Sequence, residues 1–412
     1  MLPAVAYAPA PLPNIQDVRN RFPALQSGFT YLENAGGSQV PASVADAIRD
    51  YMLTSYVQIG ANYDASQRAT QTVADAHAFM ELWVNAQNNG KVILGPSATA
   101  LVNIVANAYA DTLQPGDEII IAESNHEANA GPWERLEKRG ATIKFWKVDP
   151  QTYKLPLDEL ERLLTSKTRI VAFPQVSNLL GDTVDVQKIT EFVHSKGAKV
   201  FVDGVAYAPH GVVDVTAWNV DWYVFSNYKV YGPHMATLYA QHDAIEELTG
   251  PNHFFIPKDA IPSKWELGAL NHEGCAGLLG LEDYVTFLSG HQEANREAIV
   301  KACQTMAALE KPLTDRFLGY LANKEGVQII GPGPSKSAIG TISFTSRQTS
   351  NIKIVDHLIA NQIGTRAGHM YALRLCQALD IDLSQGVVRL SLLHYNTREE
   401  IEKTIAVLDE VL

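Results

Sequence analysis

The chain has 412 residues, and its 33 Lys plus Arg against 45 Asp plus Glu give a formal charge of −12. Apolar residues at 46% and charged residues at 19% are ordinary globular values, which exclude a largely disordered chain. The acidic balance argues against a general nucleic-acid or membrane-surface binder and leaves room for a local basic pocket. At roughly 150 residues per domain the length predicts two or three domains. Three cysteines, Cys275, Cys303 and Cys376, form no CxxC pair, so neither a disulfide framework nor a zinc ribbon is expected. A reducing, cytoplasmic setting is the expectation. No apolar run is long enough to span a membrane. The opening MLPAVAYAPAPLPN lacks the basic and continuous apolar regions of a signal peptide, and residues 1–21 read as a loose arm.

From there, short β-branched runs alternate with helical patterns. The predicted order is strand 91–94, helix 99–110, strand 118–122, helix 127–139, strand 142–147, helix 156–166, strand 169–173, helix 186–195, and strands 199–202, 222–225 and 237–240. Several of these strands are continuously apolar, as in sheets covered on both faces. The alternation predicts an α/β fold with a mainly parallel, seven-stranded sheet over residues 22–290. After about residue 290 the pattern changes to a helix over 291–318, strands 327–330 and 340–345, a helix over 353–362, strand 387–392 and a last helix over 397–411. Residues 291–412 therefore read as a smaller α+β domain. Asn396 or Thr397 caps the last helix, with Glu399 and Glu400 in its first turn.

Ligands of open parallel sheets bind at the carboxyl ends of the strands. Four predicted strand ends there carry chemistry: Gly95-Pro96-Ser97-Ala98-Thr99, Glu123-Ser124-Asn125-His126, Asp203, and Ser226-Asn227-Tyr228-Lys229. A buried lysine has a lowered pKa and becomes nucleophilic toward carbonyls. A hydroxyl-rich helix start binds phosphate through free amides and the helix dipole. Singly, each has a plainer reading: Lys229 as an exposed loop residue, Asp203 as a turn cap, Ser97–Thr99 as an N-cap. Together they fit pyridoxal phosphate, with Lys for a Schiff base, Asp for the ring nitrogen and a helix start for the phosphate.

The run from Val200 to Ala240, with Asp203 and Lys229 spaced 26 residues apart, resembles the cofactor core of the class V aminotransferase family. More narrowly it resembles the cysteine-desulfurase-like branch of the fold-type I pyridoxal phosphate enzymes. YLENAGG (31–37), NHEANAGPW (125–133), QVSNLLGD (175–182) and VVRLSLLHYNT (387–397) extend the likeness over nearly the whole chain. The resemblance implies that Lys229 forms the Schiff base, Asp203 keeps the pyridine nitrogen protonated and His126 stacks on the ring. It further implies that Asn178 bonds the ring hydroxyl and that Ala98, Thr99, Ser226 and Tyr228 hold the phosphate. Arg389 pairs with the substrate carboxylate, with Asn34 and His369 nearby. The implied partners are a small amino acid and a second copy of the chain, with residues 250–272 crossing to the neighbouring site.

Departures from the family pattern bear on the reaction. In TRAGHMYALRLC (365–376), Tyr371 stands at the position of the persulfide cysteine, and Cys376 lies five residues further on. Tyr371 is a candidate acid/base or pocket wall. Ala206 replaces a glutamine near the cofactor, Tyr228 a histidine before the lysine, and Ala269 a threonine lent between subunits. Scattered histidines (210, 234, 272, 369, 394) show no metal-binding spacing, so no metal is expected. These features resemble a desulfurase-like subgroup lacking the catalytic cysteine. The expected chemistry is Cβ-directed C–S or C–C lyase type. The alternatives are class V transamination, a decarboxylative aldol reaction using aspartate, or a non-catalytic cofactor-binding protein. A nicotinamide oxidoreductase lacks its GxGxxG turn.

Overall fold

The computed structural model describes residues 12–335 and 337–412. Of the expected arm, residues 1–11 lie outside the described residues. Ile15–Asn20 is a helix rather than loose chain, because Asn14 caps it and Val18 is buried.

The large sheet has seven strands: β1 (Gly90–Gly95), β2 (Glu118–Ala122), β3 (Thr142–Trp146), β4 (Thr168–Pro174), β5 (Lys199–Asp203), β6 (Trp222–Ser226) and β7 (Ala236–Gln241). Their spatial order is β1-β7-β6-β5-β4-β2-β3. Only β7 runs antiparallel to its neighbours. Both faces are covered, as the continuous apolar runs predicted. Ile120, Val171 and Val202 point into one core cluster, and Ile119, Ile170 and Phe201 into the other. Helix α1 (Ala98–Ala110) and helix α2 (Val186–His194) pack on opposite faces of this sheet.

The second sheet is smaller and antiparallel, with β8 (Val327–Ile329), β9 (Thr341–Ser346), β10 (Arg366–Gly368) and β11 (Val387–Ser391) in the order β10-β11-β9-β8. It packs on α3 (Arg296–Ala322) and α5 (Arg398–Asp409), while α4 (Leu373–Ala378) follows β10. Helix α5 opens on a full capping box between Thr397 and Glu400. Thr30–Tyr31 pairs with Ile363–Gly364 as a separate two-stranded sheet, and a bridge from Glu33 to Ser391 of β11 ties the N-terminal segment to the four-stranded one.

The single helix predicted over 127–139 is instead three pieces: Glu127–Asn129, Gly131–Glu134 and Arg135–Arg139. Pro132 lacks the N–H a continuous helix needs, and Ala130 sits at φ −121°, ψ −59°. Helix α3 begins at Arg296, not 291, because Asn295 caps it through the Ala298 amide. Among the described residues, no helix is long and apolar enough to cross a membrane.

Candidate functional site

The sheet brings four strand ends to one edge. After β1, the chain turns through Gly95, where a Cβ would sit 2.7 Å from the Leu101 side chain, so a larger residue there would have to displace Leu101. The Ser97 hydroxyl caps α1 by accepting from the Ala100 amide at 3.1 Å. The Ala98 and Thr99 amides precede any intrahelical acceptor and open toward the cavity, where they suit an anion. Asp203 ends β5, Ser226 ends β6, and Lys229 closes the short turn that follows. Beyond β2, His126 opens the Glu127–Asn129 turn.

One cavity is lined by Ala98, Thr99, His126, Asn178, Asp203, Ser226, Tyr228 and Lys229, together with the apolar Val176 and Ala206. All eight residues expected at the cofactor therefore share one pocket. The Tyr228 ring stacks on His234, with ring centroids 4.9 Å apart. The Asp203 Oδ1 accepts from the Val205 amide at 2.9 Å. Asn178 donates through Nδ2 to the Met370 carbonyl at 2.7 Å, while its buried Oδ1 has no partner among the described residues.

The charges here are mostly positive and mutually opposed. Burial and then Arg389 push the Lys229 ammonium down to about 8, against the pull of Asp203. Burial, Lys229 and Arg389 push His126 to about 4. His126 is therefore neutral near pH 7, and because Nδ1 accepts from the Ala128 amide at 3.0 Å, the proton is assigned to Nε2. Burial raises Asp203 to about 6. Basic groups that destabilise one another describe a pocket suited to negative ligands.

Arg389 lies on the central strand β11, 4% exposed, with burial holding it down at about 10. Its Nη1 donates to the Asn178 carbonyl at 3.3 Å, and its buried Nε has no acceptor among the described residues. Among the described residues it has no carboxylate partner within ion-pair distance, whereas its cross-strand neighbour Arg366 is paired with Glu33 at 2.7 Å. An unpaired buried guanidinium is costly, and a carboxylate ligand would complete it.

The remaining expected residues fare differently. Tyr371 is 64% exposed, and its ring centroid lies 5.3 Å from that of His126. His369 is turned to the backbone, its Nδ1 accepting from the Tyr371 amide at 3.2 Å. Asn34 is not presented as a free substrate contact. Its Nδ2 serves the carbonyls of Tyr31 and Ser391 at 3.0 and 2.8 Å, and its Oδ1 accepts from the Tyr395 hydroxyl at 2.6 Å. The three cysteines are buried and absent from the pocket lining, and burial raises Cys376 to about 11. Sequence reading missed Arg374, which touches the His126 segment. A single arginine within the stretch between the predicted helix 353–362 and strand 387–392 carries no pattern that would single it out.

The model of the family described as Aminotransferase class-V matches residues 30–404. The chain is 36% identical to the aminotransferase-like protein FGM3 of Gibberella zeae, over 97% of this chain and 98% of that one. It is 30% identical to a cysteine desulfurase of Serratia proteamaculans, over 96% of this chain and 98% of the relative. Among solved structures, the apo cysteine desulfurase from Thermococcus onnurineus NA1 superimposes with a TM-score of 0.86 at 25% identity, covering 98% of this chain and 99% of that one.

Proposed function

The chain belongs to the class V aminotransferase family, whose members are pyridoxal 5′-phosphate enzymes, and we propose that it breaks a C–S or C–C bond at Cβ of a small amino acid without a protein persulfide. The pocket fits the cofactor on its own terms. Asn178 has an orphaned buried oxygen for a ring hydroxyl, Asp203 has one oxygen free of protein donors, and α1 offers open amides for a phosphate. Once bound, pyridoxal phosphate supplies an electron sink for the pair left behind when a bond to Cα breaks.

The chain's own groups divide the remaining work. Asp203 holds a proton on the ring nitrogen by presenting a negative oxygen. Lys229, with its amine titrating near 8, moves the proton at the substrate Cα. Arg389 binds the α-carboxylate and fixes which Cα bond stands across the ring. Neutral His126 covers one ring face without adding charge. The observation that carries the Cβ reading is Tyr371, set beside His126 where the family's thiol would stand, with all three cysteines buried. A phenol accepts no sulfur from substrate, so any group expelled from Cβ leaves to solvent or to a second substrate.

A second reading is transamination, supported by the aminotransferase-like name of the Gibberella zeae relative. The two are separated by titrating the loaded protein with each of the common amino acids and following its visible absorbance. The responsive amino acid is then assayed for sulfide, pyruvate, CO₂ or a keto acid. Sulfide released with pyruvate and ammonia supports C–S cleavage at Cβ, CO₂ released with alanine from aspartate supports C–C cleavage at Cβ, and stoichiometric keto acid with an amino-loaded cofactor and neither sulfide nor CO₂ overturns it. The site is further proposed to be shared in a homodimer. Phe254 at 97% exposure, Phe255 and Leu267 on the 250–272 segment, with Tyr56 and Ile59, present apolar surface that a second copy would cover. A fully active monomer by light scattering overturns that part.

A further inference from the structure

Around Tyr371 the backbone is held in a conformation that its own residues disfavour. Met370 and Tyr371 are consecutive non-glycine residues in the left-handed region, at φ 48° and 59°. Such a pair persists only where the surroundings over-determine it. Here both carbonyls are captured from the large sheet's side of the cleft. The Met370 carbonyl accepts from Asn178 Nδ2 at 2.7 Å, and the Tyr371 carbonyl accepts from the Glu127 amide at 2.8 Å. Three residues on, in the first turn of α4, Arg374 is clamped to the same side. Its guanidinium meets both oxygens of Glu134, at 2.5 and 3.3 Å, and its Nε lies 3.4 Å from Glu127 Oε2, an ion pair without hydrogen-bond geometry. Its planar face rests 5.3 Å from the Phe145 ring centroid. Glu127 thus engages the segment twice, by its amide to Tyr371 and by its carboxylate to Arg374, and it directly follows His126.

We propose that Arg374 is the positioning residue for Tyr371. By fastening α4 to Glu127 and Glu134 it holds residues 370–374 as a fixed wall, with the Tyr371 phenol set over His126, instead of a loop that swings a side chain in and out. The wall then limits the substrate's side chain beyond Cβ, because the phenol occupies that approach whether or not substrate is present. This inference rests on the pocket being the cofactor site, but its first test does not.

That test is limited chymotrypsin digestion of the cofactor-free protein, with cleavage sites mapped by mass spectrometry. Tyr371 is exposed, yet cleavage after it requires the locked backbone to open. In Arg374→Ala the rate of cleavage after Tyr371 rises about tenfold, with no matching rise at other aromatic sites, and Arg374→Lys falls between the two. An unchanged rate, or a uniform rise at every site, overturns the proposal. The second test uses the pyridoxal-phosphate-loaded protein, where the pH midpoint of the visible absorbance reports on the protonation of the Schiff base at Lys229 and so on the surroundings that His126 and its cover provide. The midpoint moves in Arg374→Ala and in Tyr371→Ala by the same amount, and no further in the double variant. Additive shifts, or none in Arg374→Ala, mean that Arg374 serves stability alone. If the wild-type protein takes up no pyridoxal phosphate, the reading of the pocket fails while the digestion still decides the role of Arg374.

Discussion

Replacing Arg389 by methionine removes a guanidinium that is 4% exposed and has no carboxylate partner among the described residues. Its pKa falls from the ordinary 12.5 to about 10, chiefly through burial. At about 1.4 kcal/mol per unit, the folded protein carries roughly 3 kcal/mol for keeping that charge inside. The guanidinium is charged in folded and unfolded chains alike below about pH 10, so this cost is constant across the neutral range. Methionine fills similar space without charge and gives up the bond to the Asn178 carbonyl, a loss of about 1 kcal/mol. The net expectation is a cofactor-free protein about 1–3 kcal/mol more stable, within the range seen when buried charges give way to apolar residues. Its melting midpoint rises by a few degrees. The loaded variant, titrated with L-alanine and read by visible absorbance, binds about 100-fold more weakly or worse, since the carboxylate loses its charged partner. A variant that melts well below wild type and still binds the amino acid normally would refute the reasoning.

Three further outcomes follow from the same geometry. Only the neutral amine of Lys229 captures the cofactor, so the rate of borohydride-trappable capture rises with pH to a midpoint near 8 and is absent in Lys229→Ala; a midpoint near the ordinary 10.5 would discredit the desolvation argument. Ser97→Ala uncaps the helix whose amides face the pocket, costing about 1 kcal/mol and weakening retention of pyridoxal phosphate several-fold by equilibrium dialysis; unaltered retention would separate the cap from the binding site. Burial keeps Cys376 near 11 and Cys303 near 12, so iodoacetamide at pH 8 labels neither until the protein is unfolded in urea, and rapid labelling of native Cys376 would contradict this.

The large sheet was legible because its strands are buried on both faces. Runs such as Ile119–Ile121 or Val200–Val202 have no polar alternation to confuse them, and each strand boundary lies within one residue of its expected place. The helices Ala42–Thr54 and Asp64–Val84 escaped notice, since their apolar stripes are narrow and interrupted by polar residues. The break within 127–139 was written in Pro132 and passed over in favour of periodicity. At the site, Ala98, Thr99, His126, Asp203, Ser226, Tyr228 and Lys229 fall at the four strand ends that a parallel sheet marks out, whereas Asn178 comes only from the family resemblance. Asn34 does not serve there, because its amide is shared between the nearby Tyr31 carbonyl and the Ser391 carbonyl 357 residues away on β11, a contact no local pattern encodes. The lock on Met370 and Tyr371 was equally hidden, since neither residue type announces a left-handed conformation.

The central claim is that this pocket works on an amino acid without a protein thiol, and L-cysteine tests it most directly. The purified protein is loaded with pyridoxal phosphate, incubated with L-cysteine without reductant, and its intact mass and peptides are recorded. The account predicts no added sulfur on Cys275, Cys303 or Cys376, with any sulfide appearing only in solution. A persulfide on one of those cysteines, formed at the rate of cysteine turnover, would contradict it.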